Sequence, residues 1–437
     1  MLFQSIVPHV FQSLKMQIDL TSASTRKQES AKRLNFYHGM QLERLEKQMA
    51  ELFSEPEKMV KAYLNITRKV VNNLAQVYRT PPVRTIEGTE RDQGTFNEIA
   101  DTCALDVKMK QASRYCKLLK TILLRPVWRN NKIDLDILTG NILDVQTGDS
   151  PEMLEAVLVT DYGQSDKVED VTYRLWTPET WQKLDYRGHV IESDRNPYQI
   201  LPFLPVFDYP PVGSSFWLPG NDDLIALQEA INLKLTDLTY LISQQSFGVG
   251  FIKGSTGGSQ LRVDPGSLVE LPENGEIGFR SQEAKIAEVL EAIQKLITWT
   301  CVSNGLSAAH MSTDPQIQSG VSKAWDSKEL SEMRADDAAL WRSYERGLFD
   351  LMRIVWNVHN PALKLSNAAF LTIDFADPEQ QVLSVKDQAQ ADDLQMAQGV
   401  ISPVDIALRD NPDFQGDREK ALAHLLTIKQ ELNELND

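Results

Sequence analysis

Cysteine is scarce in this chain: there are three, Cys103, Cys116 and Cys301. An odd, sparse set does not make a disulfide framework, and no CxxC pair is present. A reducing compartment is expected, with each cysteine a small buried apolar residue. The six histidines (His9, His38, His189, His310, His359, His424) are scattered. None stands at metal-ligand spacing from another His or Cys, so neither a metal nor a cofactor is expected. No GxxxxGK[ST] phosphate loop and no GxSxG elbow occurs, which argues against the corresponding ATPases and hydrolases. Gly248, Gly250 and Gly254 have the wrong spacing for a dinucleotide fingerprint and read as turn glycines. Glu283, Glu288 and Glu291 read as the wet face of a helix. No acid, base and nucleophile set can be nominated, so the chain is not expected to be an enzyme.

Long apolar runs are also missing. None reaches about 18 residues, so no membrane helix is expected. The N-terminal MLFQSIVPHVFQSLKMQ has no charged region ahead of its apolar residues, and Pro8 interrupts them, so a signal peptide is not expected. Positive charge is in deficit. Across 437 residues, 45 Lys+Arg face 61 Asp+Glu, a formal net charge of −16. A generally basic nucleic-acid coat is thereby excluded, because phosphate neutralisation needs clustered cations.

Against that deficit, eight cations and no acid lie between Val107 and Lys132. Two readings stand: contact with a polyanion or acidic partner, or a face matched by acids of a neighbouring segment. Apolar spacing predicts helix over 40–79, with Met59, Tyr63, Ile66, Val70, Leu74 and Val77 on one face, stopped by Pro81-Pro82. A further helix is expected from Asn97 to Leu124. Short antiparallel strands follow to about 208, separated by turn signals such as Asn130-Asn131 and Arg187-Gly188. The Pro-rich stretch 201–220 marks a boundary.

Asn221 or Asp222 then caps a helix whose stripe runs Leu224, Leu227, Ile231, Leu235, Leu238, Ile242. A glycine-rich, strand-like insert (246–279) separates it from a returning helix at about Glu283–Asn304. A hydrophilic loop leads to a helix expected from near Ser319 to His359, because no proline intervenes before Pro361. At 1.5 Å per residue it spans about 60 Å, with a bend expected at Gly347 and at Asp336-Asp337. A strand over 370–375 and an acidic helical tail complete the chain; residues 371–437 hold five cations and fourteen acids.

In this order, several stretches resemble the portal proteins (head–tail connectors) of tailed bacteriophages. They are Tyr37-His38-Gly39 and the helical segment 65–75 that runs on to Pro81-Pro82-Val83. Next come ILPFLPVFD (200–208), GNDDL (220–224) and DPGSLVELP (264–272). NGLS (304–307), QSGVSKA (318–324) and GVISPVDIAL (399–408), with Asn411-Pro412 after it, complete the set. The resemblance covers most of residues 35–430, and its strength lies in the order of the motifs.

It implies an α+β portal-type fold. The N-terminal region and a β-rich and helical wing take 1–221. A helical-hairpin stem takes 222–245 and 283–305, around a small β-rich clip at 246–282. A tunnel loop takes 306–319, a long tunnel helix with return to the wing 320–375, and a small helical crown 376–437. It implies a homo-oligomeric ring of about twelve copies at one capsid vertex. Double-stranded DNA passes through such a ring, in and out, without sequence recognition. The implied partners are the terminase large subunit, later a head–tail adaptor, the major capsid protein and a scaffold, in the virion and, during assembly, the host cytoplasm.

By the same resemblance the DNA-facing loop is Ala309, His310, Met311, Ser312, Thr313, Asp314, Pro315, Gln316, Ile317 and Gln318. The bland alternative is an ordinary exposed loop. Lys323 and Lys328 are candidate channel cations, with surface ion pairing as the other reading. Lys253, Arg262 and Arg280 are candidate clip contacts. Competing classes are another neck ring of a virion, an enzyme with an unrecognised site, and a helical cellular scaffold.

Overall fold

The computed structural model describes residues 20–53, 56–163, 167–247, 249–253, 276–280, 286–307, 320–375, 385–411, 414 and 417–436. The chain divides into two units: Met1–Thr313 with Glu332–Phe375, and Asp314–Ser331 with Ala376–Asp437.

The larger unit opens with helices α1 (Leu20–His38), α2 (Leu42–Leu52) and α3 (Ile66–Leu74). Strand β1 (Val83–Glu87) and helices α4 (Glu90–Thr102) and α5 (Leu105–Leu119) follow. Next come β2 (Thr121–Arg129), β3 (Lys132–Thr139), β4 (Leu143–Thr147), β5 (Leu154–Asp161), β6 (Thr172–Trp176), β7 (Thr180–Leu184), β8 (Val190–Arg195) and β9 (Leu204–Phe207). Helix α6 (Asp222–Phe247), strands β10 (Val249–Lys253) and β11 (Glu276–Arg280) and helix α7 (Ile286–Ser303) form the hairpin. The 40-residue helix α8 (Gly320–His359) begins in the smaller unit and ends in the larger, which β12 (Phe370–Asp374) closes.

Strands β4 to β8 form an antiparallel meander in chain order, and β3-β2-β9 form a second sheet with β2 in the middle. A core of Leu123, Leu138, Leu143, Val157, Phe203 and Phe207 fills the space these strands enclose. Asn130 and Asn131 both have positive φ (53° and 58°), as the tight two-residue turn between β2 and β3 requires.

Two expected helices differ here for identifiable reasons, and one strand went unread. The helix expected across 59–77 is only α3. Asn65 accepts the Arg68 N–H as its cap and so starts it at Ile66. The helix expected from Asn97 to Leu124 breaks twice, at Ala104 (φ 50°) and Lys120 (φ 67°). Its last residues are β2, a strand buried on both faces, and such an apolar run has no period that separates strand from helix. Asn221, expected with Asp222 as a cap, stands just before α6, where its carbonyl accepts the Ile225 N–H (3.3 Å) and its side-chain amide donates to the Lys117 and Leu118 carbonyls, both at 2.7 Å, closing the end of α5. Strand β1 was not legible at all. It pairs antiparallel with β12 (Ile86 opposite Leu371), yet only Ile86 is buried, so no alternation marks it.

The smaller unit contains α9 (Val385–Ala397), α10 (Pro403–Asp410) and α11 (Arg418–Asn436). Ser402 and Asp405 form a reciprocal capping box at the start of α10, with Pro403 in its first turn. Hydrogen bonds from Ser402 and from Arg418 hold the Asp405 carboxyl down at about 2. Arg409 grips Asp392 with two bonds, 2.8 and 2.7 Å, tying α10 to α9.

Candidate functional site: a helical hairpin and a seated long helix

Helix α6 runs 26 residues, about 39 Å at 1.5 Å each, and α7 returns along it. Between them β10 and β11 pair antiparallel, Val249 opposite Arg280 and Lys253 opposite Glu276. The contact face of α6 buries Leu224, Ile231 and Leu238; that of α7 buries Ile293, Thr300 and Cys301. All three cysteines are buried thiols, and burial pushes Cys103 up to about 11 and Cys116 well above its ordinary value.

The hairpin also presents apolar side chains to water. Trp299 is 58% exposed and Val302 64%, three residues apart on α7 and so on one face. Leu290, Tyr240 and Ile242 are exposed as well. A single exposed leucine is ordinary, but a tryptophan and valine together on a two-helix hairpin mark a surface that another surface covers.

The part of α8 in the larger unit is seated by buried polar contacts. Lys117 of α5 bridges Asp337 (2.8 Å) and Asp208 (2.9 Å), and Lys120 also reaches Asp208 (2.8 Å). Two turns on, Glu345 accepts from Arg84 Nε (3.0 Å), from the same guanidinium's Nη2 (2.7 Å) and from the Tyr78 hydroxyl (2.8 Å). Arg84 also holds Asp106 at 2.5 Å. The Tyr344 hydroxyl donates to the Phe207 carbonyl at 3.1 Å and accepts its N–H at 3.2 Å. At Gly347 a Cβ would stand 2.9 Å from Leu204 Cδ1, so glycine is there for close approach of α8 to β9. Asp336-Asp337 and Gly347 lie inside this helix. His359 ends it, stacked on Trp128 with centroids 4.9 Å apart.

Burial raises the Asp337 carboxyl to about 6, against the pull of Lys117. Burial alone lowers the Lys117 ammonium, but Asp208 and Asp337 together raise it, so the lysine stays charged. An acid whose pKa is raised on folding binds its proton better folded. Its contribution is therefore most favourable below about pH 4 and declines as pH rises to about 6. The stability of Asp337→Asn relative to the native protein should accordingly improve by about 1–3 kcal/mol between pH 4 and 6 and stay flat above. Chemical denaturation of both proteins across that range checks it; a pH-independent difference contradicts it.

The basic block at 107–132 resolves in favour of intrachain matching. Lys108 and Arg129 pair with Asp134, Arg125 and Arg129 with Asp136, and Lys117 and Lys120 as above. Five of its eight cations thus meet carboxylates of their own chain.

The expected loop, Ala309–Gln318, and Arg262 lie outside the described residues. Lys253 and Arg280 are the last residues of β10 and β11, at opposite ends of the five-residue ladder, so the structure does not bring them together. Lys323 and Lys328 fall in the second and third turns of α8. Five residues place them about 140° apart around the axis, so no single helix face carries both. Sequence reasoning passed over Trp299 because it falls off the apolar stripe at 286, 289, 293, 296 and 300. That mismatch was the available signal.

No family model matches the chain, and no curated protein does. Solved structures give distant alignments. One, titled "Neck of empty GTA particle computed with C6 symmetry", has a TM-score of 0.45 at 12% identity, over 79% of this chain and 89% of that one. Another, "Virion of native gene transfer agent (GTA) particle", has a TM-score of 0.42 at 11% identity, over 78% and 88%. Scores this low carry no argument about what this chain does.

Proposed function

We propose that this chain is the subunit of a portal-type ring at the head–tail junction of a tailed phage or phage-like particle. The observation that carries the reading is the hairpin: two antiparallel helices around a small two-stranded head, with Trp299 and Val302 bare on its flank. A repeated copy of the chain covers that flank through a heterologous contact, and such contacts close into a ring. The order of the sequence motifs supports the portal form of the ring over another neck component.

In this reading the ring is a channel for double-stranded DNA during packaging and ejection. Contact with DNA is through phosphates and independent of sequence. With a charge of −16 per chain, the assembled wall is mainly acidic and repels the duplex, within the roughly 8–10 Å that screening allows. The chain contributes no nucleotide hydrolysis. A separate terminase docks at the clip, an adaptor replaces it, and capsid and scaffold proteins surround the ring.

Negative-stain electron microscopy of the purified protein tests the reading, with rings around a central hole as the expected image. Deleting residues 310–317 should leave those rings intact and lower packaged DNA at least about tenfold in a packaging reaction, because a channel loop acts on DNA and not on assembly. Loss of rings on deletion contradicts the loop assignment, while a native protein that forms no rings even when concentrated and supplied with scaffold contradicts the ring itself.

A further inference from the structure

Three buried polar residues of α6 face a segment of the same chain instead of water. Gln228, Asn232 and Thr236 are 0–1% exposed, although each carries hydrogen-bonding groups. Their partners are backbone groups of residues 60–67. Thr236 Oγ1 accepts from Ala62 N and donates to Ala62 O, both 3.2 Å, while the Thr239 hydroxyl proton is shared between the Thr236 carbonyl of its own helix (2.8 Å) and the Val60 carbonyl (3.1 Å). Asn232 Oδ1 accepts from Leu64 N (3.3 Å), and Gln228 Nε2 donates to Leu64 O (2.7 Å). Gln228 Oε1 then accepts from Ile66 N (2.8 Å) and Thr67 N (2.9 Å).

From Ala62 to Ile66 every second residue bonds to α6, and the Ile66 N–H also reaches the Leu64 carbonyl (3.0 Å), so the segment turns at Asn65 into α3. Ala62, Leu64 and Ile66 meet Thr236, Asn232 and Gln228, two residues of the segment for every four of the helix, which advance about 6 Å, so the ladder stays in register over three rungs. The rungs are coupled: Gln228 Nε2 also donates to Asn232 Oδ1 (2.8 Å), and Asn232 Nδ2 to Gln41 Oε1 (2.6 Å).

Little apolar burial holds this segment down. Val60, Tyr63 and Leu64 are 68%, 43% and 49% exposed, and only its flanks, Met59 and Ile66, are buried. Few buried apolar contacts are a mark of a locally opening region. The surface beneath is unusual for a helix seam. Lifting the segment bares amides and hydroxyls that water satisfies, where an apolar seam would expose a sticky stripe.

We propose that residues 60–65 form a releasable strap across the first part of α6, which opens as one unit while the sheets of the larger unit stay folded. The strap lies between α2 and α3 in the chain and bonds to α6, so its opening removes one of the ties among these helices, while the Arg44–Glu229 ion pair and the packing of Leu233 against Leu45 and Met49 stay. The hairpin's joint is a clasp, and its polar rungs are the positioning residues. This inference rests on the single chain and stands or falls apart from the ring.

Hydrogen–deuterium exchange of the full-length protein, read by mass spectrometry, tests it. Peptides covering 60–67 should exchange at least about 100-fold faster than peptides of β2 and β3, with weak dependence on denaturant. Asn232→Leu, which removes the central rung, should speed the whole 60–67 segment at least about tenfold and leave β2 and β3 unchanged. Thr236→Val, which keeps volume and removes one hydroxyl, should do the same and decides the matter if Asn232→Leu perturbs the sheets. Exchange of 60–67 as slow as that of β2 and β3 overturns the proposal. So does a variant that speeds only one amide's worth of uptake, because the rungs would then open singly.

Discussion

Replacing Trp299 with glutamate should leave the subunit folded and abolish the proposed assembly. In the single chain the indole is 58% exposed and off the packed face of α7, so the fold gives up little, within about 0.5 kcal/mol. In a ring the same position is covered. Truncating a buried interface tryptophan costs on the order of 2 kcal/mol or more, roughly a 30-fold loss of affinity per contact. Glutamate adds the cost of burying a carboxylate with no cation built to meet it, and closure multiplies the effect over every contact. Light scattering behind a sizing column should show monomer at concentrations where the native protein is fully assembled, with an unchanged circular dichroism melt. Intact assemblies in Trp299→Glu contradict the placement of the interface on this flank.

The second large effect concerns the seat of the long helix. Glu345→Ala should destabilise the subunit by about 3–5 kcal/mol. The substitution strips the partner from Arg84, whose side chain is 8% exposed, and from the buried Tyr78 hydroxyl. An uncompensated buried charge costs far more than the ion pair is worth. Asp106 remains on Arg84 at 2.5 Å and softens the loss without restoring it. Glu345→Gln keeps one acceptor and should lose less. Replacing both partners, Arg84→Met with Glu345→Met, should recover part of the stability, because no buried charge is then left unpaired and only the Tyr78 hydroxyl still lacks its acceptor. Denaturant midpoints of the four proteins check this. A double variant as unstable as Glu345→Ala would show that the loss is packing and not charge.

Much of the helical frame was readable. The absence of proline between Gln316 and Pro361 left α8 free to run, and Asn130-Asn131 had the one local chemistry that makes a two-residue turn between strands cheap. The errors arose where tertiary contacts override local pattern. Met59, Tyr63 and Ile66 fall at helical spacing, but the chain there is bonded to side chains of α6, a partner about 170 residues away. The residues after Lys120 look the same whether helix or strand, and only pairing with β3 and β9 decides. Asp337 and Glu345 look like a solvated face of a charged helix; their partners Lys117 and Arg84 lie 220 and 261 residues away. The hairpin was legible as helix, insert, helix. Its bare tryptophan was not singled out, because the stripe that identifies a helix draws attention to the face that is already covered.

The central claim is that this chain closes into a ring, and the most direct measurement is its native mass. Native mass spectrometry of the purified full-length protein should give a species near twelve times 49.4 kDa, at concentrations where Trp299→Glu gives the single-chain mass. A native protein that stays monomeric or dimeric when concentrated and supplied with scaffold contradicts the account.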